Sequence, residues 1–178
     1  MKKNILIIDD EPAIRQSMSD IFQDEGYSVS CAEDGENALS LLEKETPDLI
    51  FLDIWLPDSD GLKLLPGFKK EHPQVPIIMI SGHGTIETAV HATKMGAFDF
   101  IEKPLSLDKL VITASNALTL SRLQEENLRL KKQYRENRLL GSCPAIEQLQ
   151  DQIRVIAPTD GWVLIAGENG TGKELVAR

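Results

Sequence analysis

Cysteine is scarce in this 178-residue chain: Cys31 and Cys143 lie far apart, with no CxxC pair. Neither a disulfide framework nor a thiolate zinc site follows from that spacing, and a reducing cytoplasm is the expected compartment. Histidine is scarce too, and His72, His83 and His91 form no spacing with Asp or Glu that suggests a transition-metal site. Long apolar runs are missing. Ile5–Ile8 and Val75–Ile80 are far too short to span a bilayer, so no membrane partner is expected. Met-Lys-Lys-Asn at the N-terminus leads into only four apolar residues before Asp9, Asp10 and Glu11, which is no secretory signal. Aromatics supply only 5% of residues, but 42% are apolar and 26% charged, which excludes wholesale disorder and fibrous repeats.

Positive charge is in deficit, and unevenly so. The net charge is −9. Residues 1–120 carry ten Lys/Arg against twenty Asp/Glu, whereas residues 121–178 carry nine against eight. An acidic first part argues against general nucleic-acid binding there, because phosphate contacts need Lys and Arg. The chain changes character near residue 120.

What is present is an alternation of strands and helices. Asn4–Ile8 reads as a buried parallel strand ending at Asp9-Asp10, and a helix opens at Pro12 and closes at Gly26. Tyr27–Cys31, Asp48–Leu52, Pro76–Ile80 and Ala97–Ile101 read as four further strands. Helices are expected around Ala38–Leu42, Leu62–Phe68 and Thr85–Met95 and from Leu107 onward, with Pro66 an irregularity in the third of the five. Five strands alternating with five helices imply an α/β fold with a parallel, doubly wound, flavodoxin-like sheet. Function in such a sheet belongs at the carboxyl ends of the strands.

Asp9, Asp10, Asp53, Ser81 and Lys103 stand at those ends. Any one alone would read as a helix cap, but together they form a pattern. Three carboxylates on one rim repel unless a cation sits among them, and hard oxygen ligands favour Mg²⁺. One carboxylate can then act as nucleophile and form an acyl phosphate, while a hydroxyl and an ammonium stabilise the transferred charge.

Ile7-Ile8-Asp9-Asp10-Glu11, Leu52-Asp53-Ile54-Trp55-Leu56-Pro57 with Asp60-Gly61, Ile80-Ser81-Gly82 and Lys103-Pro104 resemble the receiver (CheY-like) domain of bacterial response regulators over residues 1–120. The resemblance implies that Asp53 accepts a phosphoryl group from a sensor histidine kinase. It further implies that Asp9, Asp10, Asp53 and the backbone carbonyl of Trp55 hold Mg²⁺, and that Lys103 and Ser81 assist the transfer. Ser81 and Phe100 match the switch positions, and a cis Lys103–Pro104 bond matches the family. Phosphorylation is then expected to remodel the face made by Thr85–Met95 and the fifth strand, a dimer or partner surface. Trp55 is large for its place in the family, and it is expected to shield the acyl phosphate from water. A phosphatase of the haloacid dehalogenase type would need a second Asp where Trp55 stands. A flavin binder would not call for three carboxylates and a lysine.

Beyond the receiver, Leu120, Leu123, Asn127, Leu130, Tyr134 and Asn137 follow a heptad spacing. Residues 121–138 are expected to form a parallel two-stranded coiled-coil linker and a dimer. Gly141-Ser142 breaks that helix, and Ala145–Ile156 reads as a new amphipathic one. Trp162–Ala166 is expected to be a strand leading into a glycine-rich loop, Gly167-Glu168-Asn169-Gly170-Thr171-Gly172-Lys173-Glu174. Loop amides and Lys173 suit phosphate oxygens, although Glu174 replaces the usual Ser/Thr. Leu140-Gly141-Ser142, Val155–Asp160 and 167–178 resemble the opening of the AAA+ ATPase domain of sigma-54-dependent activators, within the NtrC/NtrX class; Phe51–Pro57 leans toward NtrX. The resemblance implies ATP, sigma-54 RNA polymerase and DNA as ligands and partners of a full-length parent. About 40 residues of such a domain, 139–178, are too few for a proper core, and no ATP hydrolysis is expected of them.

Overall fold

The computed structural model describes residues 2–82, 84–136 and 143–177, without the side chains of 132–136. His83, Asn137, the Gly141-Ser142 break and the Tyr134 side chain lie outside the described residues. The chain divides into two compact units, 1–125 and 126–178.

From its N-terminus the chain runs β1 (Asn4–Ile8), α1 (Pro12–Asp24), β2 (Ser28–Ala32), α2 (Gly35–Leu42), β3 (Leu49–Asp53), α3 (Gly61–Glu71), β4 (Ile77–Ser81), α4 (Ile86–Lys94) and β5 (Asp99–Glu102), all in the first unit, and then α5 (Leu107–Glu136), which begins in that unit. All strand pairs are parallel, in the order β2-β1-β3-β4-β5. The chain therefore winds outward from β1 to one edge, then returns to β3 and winds to the other. β1, β3 and β4 are buried throughout because helices cover both faces, which is why they read as unbroken apolar runs.

Side-chain parity sorts the core. Ile5, Ile7, Leu49, Phe51, Ile78, Ile80 and Ile101 face α1 and α5, where Met18, Phe22, Leu110, Ala114 and Ala117 meet them. Leu6, Ile8, Ile50, Leu52 and Met79 face the other way, toward Ala38, Leu65, Phe68 and Ala92 of α2, α3 and α4. Phe22 stacks on Phe51 at 5.1 Å and meets Tyr27 edge-on at 6.0 Å.

The helix starts follow from local chemistry. Pro12 opens α1, and Asp34, Asp60 and Thr85 accept backbone N–H groups as caps of α2, α3 and α4. Pro66 does not break α3 and sits on the exposed side of that helix. Ser121 Oγ on α5 donates to Gln74 O at 3.1 Å.

In the second unit α6 (Pro144–Ile156) precedes a short α7 (Lys173–Ala177). The strand expected at Trp162–Ala166 is not formed. Residues 160–168 carry no regular structure, because none of the described residues ladders with this segment and a strand exists only as half of a pair. A cleft of about 740 Å³, lined by Ile153, Ile156, Val163, Ile165 and Val176 among others, lies in this unit. Among the described residues no helix is long and apolar enough to cross a membrane.

Candidate functional site

The acidic residues meet where the winding reverses, at the carboxyl ends of β1 and β3. Register does the placing: Ile8 pairs with Leu52, so Asp9 and Asp53 are level across the sheet. Both are odd-numbered continuations of Ile5-Ile7 and Leu49-Phe51, so their side chains share the α1/α5 face. Lys103 extends Ile101 with the same parity. Ser81 and Phe100 have the parity of Met79 and belong to the α4 side; Ser81 is buried, and Phe100 packs at the margin of that core.

Asp9 is fully buried and Asp53 is 2% exposed, while Asp10 and Glu11 reach solvent. Lys103 Nζ lies among them, 2.7 Å from Asp53 Oδ2, 2.8 Å from Glu11 Oε1 and 3.0 Å from Asp9 Oδ2. Burial alone would pull the Lys103 ammonium down. The close contacts with Asp53, Glu11 and Asp9 outweigh it and raise its pKa, so the charge is held firmly. Burial raises the Asp9 carboxyl, with the Asp53 charge adding to it, against the lowering effect of Lys103 and the Glu11 N–H. Asp53 Oδ1 accepts the Trp55 N–H at 3.2 Å, and Asp9 Oδ1 accepts the Glu11 N–H at 2.9 Å.

One ammonium against four acids leaves the pocket negative. Asp9, Asp10, Glu11 and Asp53 each offer a carboxylate oxygen, and these lie within 4.8 Å of one another. Asp9 Oδ2 is buried and takes no directed hydrogen bond; toward Lys103 it has the geometry of an ion pair. A buried, under-bonded carboxylate oxygen among hard donors fits a divalent cation of the Mg²⁺ kind.

Trp55, expected as a shield, stands 63% exposed beside this pocket and bridges Asp60 across the β3–α3 turn. The Lys103–Pro104 bond is cis. Sequence reasoning did not assign Glu11 a place in the site, although it directly follows the two aspartates and shares Lys103 with them. Position in the run was the available signal.

The expected phosphate loop belongs to the second unit. Gly170 and Gly172 have positive φ, and α7 starts at Lys173. Lys173 Nζ donates to Gly167 O at 2.8 Å and also to Glu168 O, and Thr171 Oγ1 donates to Glu168 O at 2.8 Å. An ammonium turned into a loop of this shape fits, in kind, the donor set that phosphate oxygens require.

A doubly wound five-stranded sheet whose switch point gathers buried aspartates around a lysine is the architecture of signalling receivers. The chain belongs to the response regulators: residues 5–115 match the response regulator receiver domain, and residues 139–178 match the sigma-54 interaction domain. It is 48% identical, over all of its length and 40% of the relative's, to the nitrogen assimilation regulatory protein NtrX of Azorhizobium caulinodans. Among solved structures it resembles NtrX from Brucella abortus in complex with ADP, at 46% identity and a TM-score of 0.71, covering 99% of this chain and 40% of that one. It also resembles the beryllofluoride-activated NtrC4 receiver domain dimer, at 36% identity and a TM-score of 0.64, covering 66% of this chain and 98% of that one. The chain spans about two fifths of the length of the NtrX proteins it matches.

Proposed function

We propose that this chain is the phosphorylatable input end of a sigma-54-dependent transcription activator. Asp53 is the acceptor, and the cluster of Asp9, Asp53 and Lys103 is the observation that carries the reading. An Asp53 oxygen attacks the phosphorus of the donor, a phosphohistidine of a sensor kinase or a small acyl phosphate. The bond from phosphorus to the donor breaks, the donor leaves with that electron pair, and Asp53 becomes a mixed anhydride. Lys103 stays beside the acceptor oxygen and offsets the charge that arrives. Asp9, Asp10, Asp53 and the Trp55 carbonyl would hold Mg²⁺, which supplies neutralisation of the phosphoryl oxygens.

The phosphoryl group adds about −1.5 to −2 charge. Ser81 then turns toward it and Phe100 follows inward, altering the surface of α4 and β5. Ile86, 85% exposed on α4, marks that surface as one able to bury apolar area against a second copy. Leu120, Leu123 and Leu130 on the solvent side of α5 extend the same role to the linker. We read the domains as 1–120, 121–138 and 139–178, in a cytoplasmic protein. The loop from Gly167 to Glu174 would take ATP in the full-length parent, where it would drive remodelling of sigma-54 RNA polymerase on DNA. The 178-residue chain itself is not expected to hydrolyse ATP.

Intact-mass measurement with a small acyl-phosphate donor tests the reading. One phosphoryl adduct is expected with Mg²⁺ and none with excess EDTA. An adduct that forms equally well without divalent metal would remove the cation from the chemistry. Trp55 carries a second test: Trp55→Ala is expected to lose its phosphoryl group several-fold faster than wild type, followed by mass after donor removal. An unchanged lifetime would make the indole a surface residue only.

A further inference from the structure

Helix α2 is capped from two places. Its own N-cap, Asp34, accepts the Asn37 N–H at 2.7 Å. The two amides before it, Gly35 and Glu36, go to Asp58 in the β3–α3 turn, at 3.1 Å and 3.2 Å. Ser59 Oγ donates to the same carboxylate at 2.9 Å. Gly35 makes the approach possible, since a Cβ there would stand 2.8 Å from Ser59 Oγ and 3.3 Å from Asp58 Oδ2. The Gly35 N–H, with help from Ser59 and Glu36, keeps the Asp58 carboxyl below its ordinary range, so it faces the positive end of α2 as an anion.

The base of this turn is the acidic pocket. Gly61 N donates to Ile54 O at 2.8 Å, Leu56 N donates to Ser59 O at 3.2 Å, and Trp55 bridges Asp60. The segment from Ile54 to Asp60 is thus a small hairpin, closed at its base beside Asp53 and tied at its tip to α2.

We propose that Asp58 is a positioning residue for the pocket: by anchoring the tip of the turn to α2, it holds the Trp55 backbone where a divalent cation beside Asp53 needs it. The proposal rests on the receiver reading above. It is distinct from a role in helix stability, because Asp34 caps the same helix without touching the turn.

Mg²⁺ titration of the whole chain, followed by the amide chemical shifts of Asp10, Asp53 and Trp55, separates the two roles. Asp58→Ala is expected to weaken Mg²⁺ about tenfold, as loss of a supporting partner typically does. Asp34→Ala should bind near the wild-type value while lowering the melting temperature comparably. Asp58→Asn, which keeps one acceptor oxygen, should fall between, and it supplies the measurement if the alanine variant does not fold. Equal Mg²⁺ affinity in the Asp58 variants and wild type, or equal weakening in Asp34→Ala, would overturn the proposal. A wild-type protein that shows no shift with Mg²⁺ would overturn the reading of Asp53 as a Mg²⁺-dependent phosphoryl acceptor with it.

Discussion

Asp53→Asn is expected to abolish the phosphoryl adduct completely while leaving the fold in place. The substitution keeps the shape of the side chain and an oxygen that can accept the Trp55 N–H, a bond of 3.2 Å in the native chain. What it removes is the anionic oxygen held 2.7 Å from Lys103. Asp9, level with Asp53 across the sheet, is fully buried, and one of its oxygens accepts the Glu11 N–H. Asp10 and Glu11 are open to water, and only Glu11 of the two contacts Lys103. The fold should tolerate the change, because one of two neighbouring buried carboxylates is neutralised and the Asp53 charge is among the causes raising the Asp9 pKa. Intact mass after donor and Mg²⁺, beside a thermal melt, reads both halves. An adduct of undiminished yield in the variant would move the acceptor to another carboxylate.

Much of this was legible in the sequence, and the limits have physical causes. β1, β3 and β4 announce themselves because burial on both faces requires apolar residues at every position. Their ends are less legible. Tyr27 and Ala97 look like strand residues, yet Tyr27 N–H bonds Phe22 O at 2.9 Å and Ala97 N–H bonds Ala92 O at 3.0 Å, so both amides close the preceding helices and the strands start later. The meeting of Asp9, Asp53 and Lys103 could be read from strand order and parity alone. Asp58 could not, because nothing local in Pro57-Asp58-Ser59-Asp60-Gly61 says that its first aspartate caps a helix 22 residues earlier. Trp162–Ala166 failed for the complementary reason: an apolar run states the wish to pair and never supplies the partner.

Gly61→Ala is expected to damage stability and site together, which few single methyl groups can do. Gly61 opens α3 directly above the end of β3, and a Cβ built on it would stand 2.1 Å from Asp53 O, 3.0 Å from Asp53 C and 3.1 Å from Ile54 Cα. All three are backbone atoms, so no rotamer change relieves the overlap. Either α3 lifts, breaking the Gly61 N–H bond to Ile54 O, or the strand end shifts and takes the acceptor away from Lys103. Overpacking of this kind costs about 1–3 kcal/mol, and the phosphoryl yield should fall with it. Gly67, six residues on in the same helix, is the control: a Cβ there meets nothing within 4 Å. Gly67→Ala should therefore raise stability by about 0.5–1 kcal/mol, the ordinary gain of alanine over glycine in a helix, and leave phosphorylation unchanged. Chemical denaturation and acyl-phosphate labelling of the two variants give the comparison. If both alanines shifted stability in the same direction, the close approach at Gly61 would not be what holds the acceptor strand and α3 in register.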